Sequence, residues 1–308
     1  MNHHRADIYI LNGFLGSGKS TMLRHLLQKE KEAGRNVAVL MNELGEKSID
    51  SSVVPSDTTL KELLNGCICC TIKGQLSQQL DDLFNQHTLD AVYIEATGAA
   101  HPVEVIEACT HPFIADKLRI KAVTTLVDTK QWIEKKGSIK VKKLMKEQVK
   151  YADIVVLNKI DKVSRSEQET ANQTIKEINP KAKVLLTTYA HIDLTILFSQ
   201  KNHSSFLSQT ENNTHAEKDL HLHSLTFPLP KQVSRLKFSQ WIKEMEANVF
   251  RMKGFVRFTS GPEIFLFNYS YGGLTFEKYH QERDVSLVLV IIGEDLDEKK
   301  IKKGLQLL

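Results

Sequence analysis

Gly13, Gly16, Gly18, Lys19 and Ser20 recur at fixed spacing in the stretch GFLGSGKS, which follows directly on the apolar run Ile8 to Leu11. Residues of these types at this spacing make a phosphate cradle. The glycines let the backbone turn tightly and aim several N–H donors at one point, at what would be a helix N-terminus. Lys19 would reach the β- and γ-phosphates as a point charge, the Ser20 hydroxyl would take one position on a Mg²⁺ ion, and Thr21 would contact the α-phosphate. Met22, Leu23, Leu26 and Leu27 then fall on one helical face. A dinucleotide loop is disfavoured, because the glycines are spaced GxxGxG and a lysine opens the helix.

Three further clusters carry chemistry. Asn158, Lys159 and Asp161, in LNKID, form an NKxD pattern. The Asp161 carboxylate can accept from guanine N1–H and from its 2-amino group, with Lys159 along the base and Asn158 fixing the loop and meeting N7. Adenine offers neither donor, and a site built for those bonds rejects it. Glu95 ends the run AVYIE and precedes ATG, so it can approach the Mg²⁺ shell while Gly98 donates its N–H to a γ-phosphate. Glu43, Glu46 and Asp50 in NELGEKSID are candidates to orient water or bind Mg²⁺. Together with Lys19 and Ser20, these acids suit phosphoryl transfer by positioning and charge neutralisation, and slow GTP hydrolysis is expected.

Cys67, Cys69 and Cys70 crowd together in GCICC. Thiolates at this spacing serve better as soft ligands for one metal ion than as disulfide partners. Zn²⁺ takes four tetrahedral ligands, so three cysteines leave a position for another group or for exchange; copper(I), cobalt and nickel fit the same donors. Cys109, alone in VIEACT, reads as a core residue. His203, His215, His221 and His223 are accessory metal candidates in or beside a polar stretch.

These sites need a scaffold that presents them together. Runs at Asp7 to Leu11, Val37 to Met41, Ala91 to Glu95, Ala122 to Val127, Ile154 to Leu157 and Val184 to Thr187 read as buried strands, alternating with helical stretches. The expected class is α/β: a mostly parallel sheet with helices on both faces and ligands at the carboxyl ends of its strands. The expected division is 1–199 for this nucleotide domain, 200–219 for a polar linker, and 220–308 for a smaller C-terminal α+β domain. In the last, strands are expected at His221 to Phe227, Phe255 to Phe258, Ile264 to Tyr269, Leu274 to Tyr279 and Leu287 to Ile292. Helices are expected at Ser234 to Ala247 and Asp297 to Leu308.

The 308 residues are 41% hydrophobic and 25% charged, with net charge +4. That composition excludes fibrous and disordered classes, and so mild a positive excess predicts no nucleic-acid partner. The basic stretch Lys135 to Lys146 reads as a solvated helix face. No apolar run nears the roughly 18 residues a membrane span requires, and MNHHRAD lacks a signal peptide's apolar segment, so a cytoplasmic protein without a membrane partner is expected. A homo-oligomer is compatible with the sequence.

Taken in order, GFLGSGKST, NELGEKSID, GCICC, IEATG and NKID resemble the CobW-type metal-chaperone GTPases, which include zinc-transfer GTPases. KGFVRF, LFNYSYGG and LVIIGEDLD resemble that family's C-terminal domain, so the likeness covers nearly the whole chain. The resemblance implies a P-loop GTPase of the SIMIBI type whose cofactors are GTP or GDP, Mg²⁺ and Zn²⁺. Such a protein passes zinc to a client apoprotein under nucleotide control. It maps phosphate binding to Gly13 through Thr21, Ser17 included, guanine reading to Asn158, Lys159 and Asp161, and zinc ligation to Cys67, Cys69 and Cys70. The acidic positions fall at Glu43 and Glu95. This chain departs from the family pattern at Leu44, commonly Phe, and at Lys47 and Ser48. Nickel or cobalt insertion, and a nonenzymatic zinc-binding protein that uses GTP structurally, are the alternatives. A small-molecule kinase would leave NKID and GCICC without a role.

Overall fold

A computed structural model describes residues 5–41, 59–62, 72–135, 137–198, 223–245, 249–270, 272–280, 284–293 and 296–308. Glu43, Glu46, Asp50, Cys67, Cys69, Cys70, His203, His215 and His221 lie outside them, as does the side chain of His223.

The strands, in chain order, are β1 (Ala6–Asn12), β2 (Val37–Met41), β3 (Thr59–Glu62), β4 (Ala91–Glu95), β5 (Leu118–Asp128), β6 (Ile154–Asn158), β7 (Lys183–Leu186), β8 (His223–Pro228), β9 (Val249–Arg257), β10 (Ile264–Ser270), β11 (Gly273–Lys278) and β12 (Val288–Gly293). The helices are α1 (Lys19–Glu32), α2 (Ile72–Gln86), α3 (Pro102–Cys109), α4 (Thr129–Glu134), α5 (Ile139–Lys150), α6 (Arg165–Ile178), α7 (Thr195–Phe198), α8 (Arg235–Glu244) and α9 (Glu298–Leu305). Among the described residues none is long and apolar enough to cross a membrane.

Seven of the described strands form one sheet in the order β3-β2-β4-β1-β5-β6-β7, every neighbouring pair parallel. Its central strands are mostly apolar and buried because both faces are covered. Period two divides their side chains between two cores. Ile8 and Ile10 of β1, with Val92 and Ile94 of β4, pack with Leu80 of α2 and Ile106 of α3. Tyr9, Leu11, Ala91 and Tyr93 pack on the opposite face with Met22, Leu23, Leu26 and Leu27 of α1. β3 was not expected from sequence, and β7 departs from expectation: its residues are half-buried or exposed, since it is the sheet's edge. Cys109 is fully buried in the first core.

The other five strands form an antiparallel sheet, β11-β10-β9-β12-β8. α8 and α9 cover one face through Phe238, Trp241, Ile242, Ile301 and Leu305. The other face meets the parallel sheet: Ile292 joins the first core, with Phe250 packed against it. Phe113 lies 5.1 Å from Phe255, ring to ring. Buried Glu107 of α3 stands 2.7 Å from Arg251 and 2.8 Å from Lys253, both on β9.

Candidate functional site

The chain crosses from β1 to α1 over one face of the sheet, and from β4 to β5 across β1, so the crevice at the carboxyl end of β1 is a topological switch point. Residues 13–18 fill its floor. Gly13 has φ 138° and Gly18 φ 110°, values that side chains disfavour. Space excludes a side chain as well: an added Cβ would lie 2.3 Å from the Leu126 carbonyl at Gly13 and 2.4 Å from Asn158 Nδ2 at Gly18. Gly18 is the N-cap of α1, and neither a cap side chain nor an acid of its own occupies that first turn, so the positive end of the helix is presented at the glycine loop. Lys19 is buried and its Nζ donates to the carbonyls of Gly13 (2.9 Å) and Phe14 (3.5 Å), which folds the cation over the loop.

Glu95, at the end of β4, is in register with Leu11 and buried. Ser20 Oγ donates to its Oε1 at 3.0 Å. A hydroxyl and a carboxylate meeting at a helix start are a hard-oxygen pair, the donor type that suits Mg²⁺. Gly98 lies against the loop, where a Cβ would come within 2.8 Å of the Leu15 nitrogen. Phe14 to Gly16, Gly18 to Thr21 and Glu95 to Ala99 together line a cleft of about 620 Å³.

Asn158 ends β6 and is buried. Its Nδ2 donates to the Ser17 carbonyl (2.8 Å), and its Oδ1 accepts from the Ala190 N–H (2.9 Å). This side chain therefore staples the glycine loop to residues 187–191. Lys159 has φ 59°, and its Nζ is 2.7 Å from Asp128 Oδ2. Asp161, in the short 3-10 turn Ile160–Lys162, is exposed at the same end of the sheet.

Ser17 to Thr21, Glu95, Gly98 and Asn158 are thus brought together, with Lys159 and Asp161 one turn beyond Asn158. Three participants went unread in the sequence. Asp128 holds Lys159 and also caps α4 by accepting from Gln131 N–H (3.2 Å). The loop after β7 supplies the Ala190 N–H. It is shaped by Thr187 Oγ1 donating to the His191 carbonyl and by left-handed Tyr189 and Ala190. Gln148 of α5 reaches the carbonyls of Gly98 and Ala100. The first two each follow a strand's carboxyl end, which is the signal that could have found them. Among the described residues no group of three or more His, Cys, Asp or Glu side chains is arranged to hold a metal.

Residues 7–186 match the family described as CobW/HypB/UreG, nucleotide-binding domain, and residues 222–308 match the cobalamin synthesis protein cobW C-terminal domain. The zinc chaperone YjiA of Escherichia coli is 30% identical over 96% of this chain and 96% of its own length. Zinc-regulated GTPase metalloprotein activator 1 of Dictyostelium discoideum is 27% identical over 84% of this chain, which spans 64% of that relative. The crystal structure of Zn(II)-bound YjiA GTPase from Escherichia coli superposes with a TM-score of 0.51 at 25% identity, covering all of this chain and 99% of that one.

Proposed function

This chain belongs to the CobW/HypB/UreG family, and from that premise we propose that it is a GTP-hydrolysing zinc chaperone that hands zinc to client apoproteins under nucleotide control. The observation that carries the reading is the convergence of the glycine loop, Glu95 and Gly98 on one cleft, with Asn158 holding the loop from behind through the Ser17 carbonyl. Lys19 would exchange the Gly13 and Phe14 carbonyls for phosphate oxygens, which bear full charge and so bind it more strongly. The donors of α1 and the loop would hold the β-phosphate, Gly98 N–H the γ-phosphate, and Asp161 with Lys159 the guanine. Ser20 and Glu95 would hold Mg²⁺, whose charge neutralises the phosphate oxygens during transfer. Glu43 is the candidate to orient the attacking water.

Zinc is the cargo, taken by Cys67, Cys69 and Cys70. β3 ends at Glu62, opposite Met41, which is itself opposite Glu95. The chain therefore leaves β3, on its way to the cysteines, at the carboxyl end of the sheet, the end that carries the phosphate loop. That connection supports coupling between hydrolysis and metal affinity, since a γ-phosphate and a thiolate site on neighbouring segments can bias one switch. The relatives' names support zinc over nickel or cobalt. The test is zinc affinity by competition with a chromogenic chelator, in the GTP-analogue and GDP states, with Lys19→Ala as the hydrolysis control. Equal affinities in the two states would remove the coupling. Wild-type turnover by Lys19→Ala would remove the site.

A further inference from the structure

Gln148 sits in the last turn of α5, outside the glycine loop and the guanine-reading residues, and only 1% of it is exposed. Its Nε2 donates to the carbonyls of Gly98 (3.2 Å) and Ala100 (3.3 Å). Its own carbonyl accepts from Thr125 Oγ1 at 2.7 Å, which fixes this turn of α5 to β5. A buried carboxamide is costly unless bonded, and its neighbour Val149 shows that this turn of α5 readily packs apolar side chains. What the amide adds is a fixed attachment for the segment between Glu95 and α3. Gly98 in that segment already lies hard against Leu15 of the phosphate loop.

Resting on the nucleotide reading above, we propose that Gln148 is a positioning residue for the terminal phosphate: it sets the height of Gly98 over the phosphate loop and so favours a triphosphate over a diphosphate. GDP has no oxygen at that position. Loosening the segment therefore weakens GTP binding and leaves GDP binding alone, whereas a merely structural glutamine would affect both alike.

The experiment uses the full chain with two variants. Gln148→Met keeps the shape and removes both donors. A non-hydrolysable GTP analogue should bind it about tenfold more weakly, the equivalent of one hydrogen bond to a charged oxygen. GDP affinity should stay within about twofold on the same scale. Gln148→Glu places a carboxylate against two carbonyls at neutral pH but regains one donor when protonated. Its analogue affinity relative to wild type should therefore recover as pH falls. Equal losses for both nucleotides, or no loss for either, would overturn the proposal. A third measurement needs no nucleotide: amide exchange across residues 97–100 should quicken in Gln148→Met. Unchanged exchange there would overturn the attachment itself. Failure of the wild type to bind the GTP analogue would sink the nucleotide reading instead, with the exchange result still deciding whether Gln148 holds the segment.

Discussion

Removing the Glu107 carboxylate should separate the two sheets energetically. This side chain is 3% exposed, and Arg251 and Lys253, two residues apart on β9, both bring their charges within 2.8 Å of one of its oxygens. Taking one member out of a buried ion pair costs about 3–5 kcal/mol, because the remaining charge is left buried and unmatched. Here the cations retain 24% and 18% of their side-chain exposure, so water relieves part of that cost. A loss of about 2–3 kcal/mol is expected for Glu107→Gln, which preserves shape and removes the charge. Urea unfolding can be followed at each unit separately, since Trp132 packs with the α5 and α6 core and Trp241 lies in α8. In a cycle with Arg251→Met, the pair should show a coupling of at least about 1 kcal/mol. Coupling below about 0.5 kcal/mol would refute the argument, because contacting charges at this depth cannot act independently.

Three other outcomes follow from the geometry. Gly18→Ala must hold φ 110° and displace Asn158 Nδ2, and the strain plus a lost hydrogen bond, about 3 kcal/mol together, should weaken a fluorescent GTP analogue about 100-fold; binding within threefold of wild type would contradict it. Asp161→Asn replaces an acceptor by a group that donates, so xanthine nucleotides, with a 2-oxo group, should overtake guanine nucleotides in competition binding, and retained guanine preference would remove Asp161 from the base site. Burial pushes His111 down to about 4, with nearby Lys253 adding to the shift and Glu107 opposing it. The folded protein thus resists a proton that the unfolded chain takes up near pH 6.5. The contribution is complete above that pH and is lost as pH falls from 6.5 towards 4, by about 3 kcal/mol in all. His111→Gln should flatten the difference over that range, and parallel stability curves for the two proteins would exclude it.

The residues legible in the sequence are those whose chemistry demands neighbours in the chain. The phosphate loop, NKID and the acid ending AVYIE each compress several constraints into a few positions, and the parallel sheet follows from buried apolar runs between helical stretches. What escaped is set by distance along the chain. Asn158 reaches Ser17 across 141 residues, and Gln148 reaches Gly98 across 50. Neither bond leaves a periodic trace, because a lone glutamine on a lysine-rich helix looks the same whether it faces solvent or a loop carbonyl. β3 escaped for a different reason: TLKE is four residues with no sustained alternation, and its pairing with β2 supplies the strand. β7 shows the converse, since its apolar residues suggested burial but only the strand order places it at an edge.

The segment from Glu95 to Ala100 is held by Gln148 on one side and continues directly into α3, whose Glu107 binds the antiparallel sheet. α3 is only eight residues long and its buried side chains lock into the first core. Close-packed helices move as units more readily than they deform. A shift of Gly98 on meeting a γ-phosphate would therefore be delivered at Arg251 and Lys253 as displacement of the helix. The Glu107 and Gln148 substitutions test the two ends of that lever. If the lever is real, Glu107→Gln should alter the ratio of GTP-analogue to GDP affinity although it touches no residue of the cleft, and an unchanged ratio would confine nucleotide sensing to the parallel sheet.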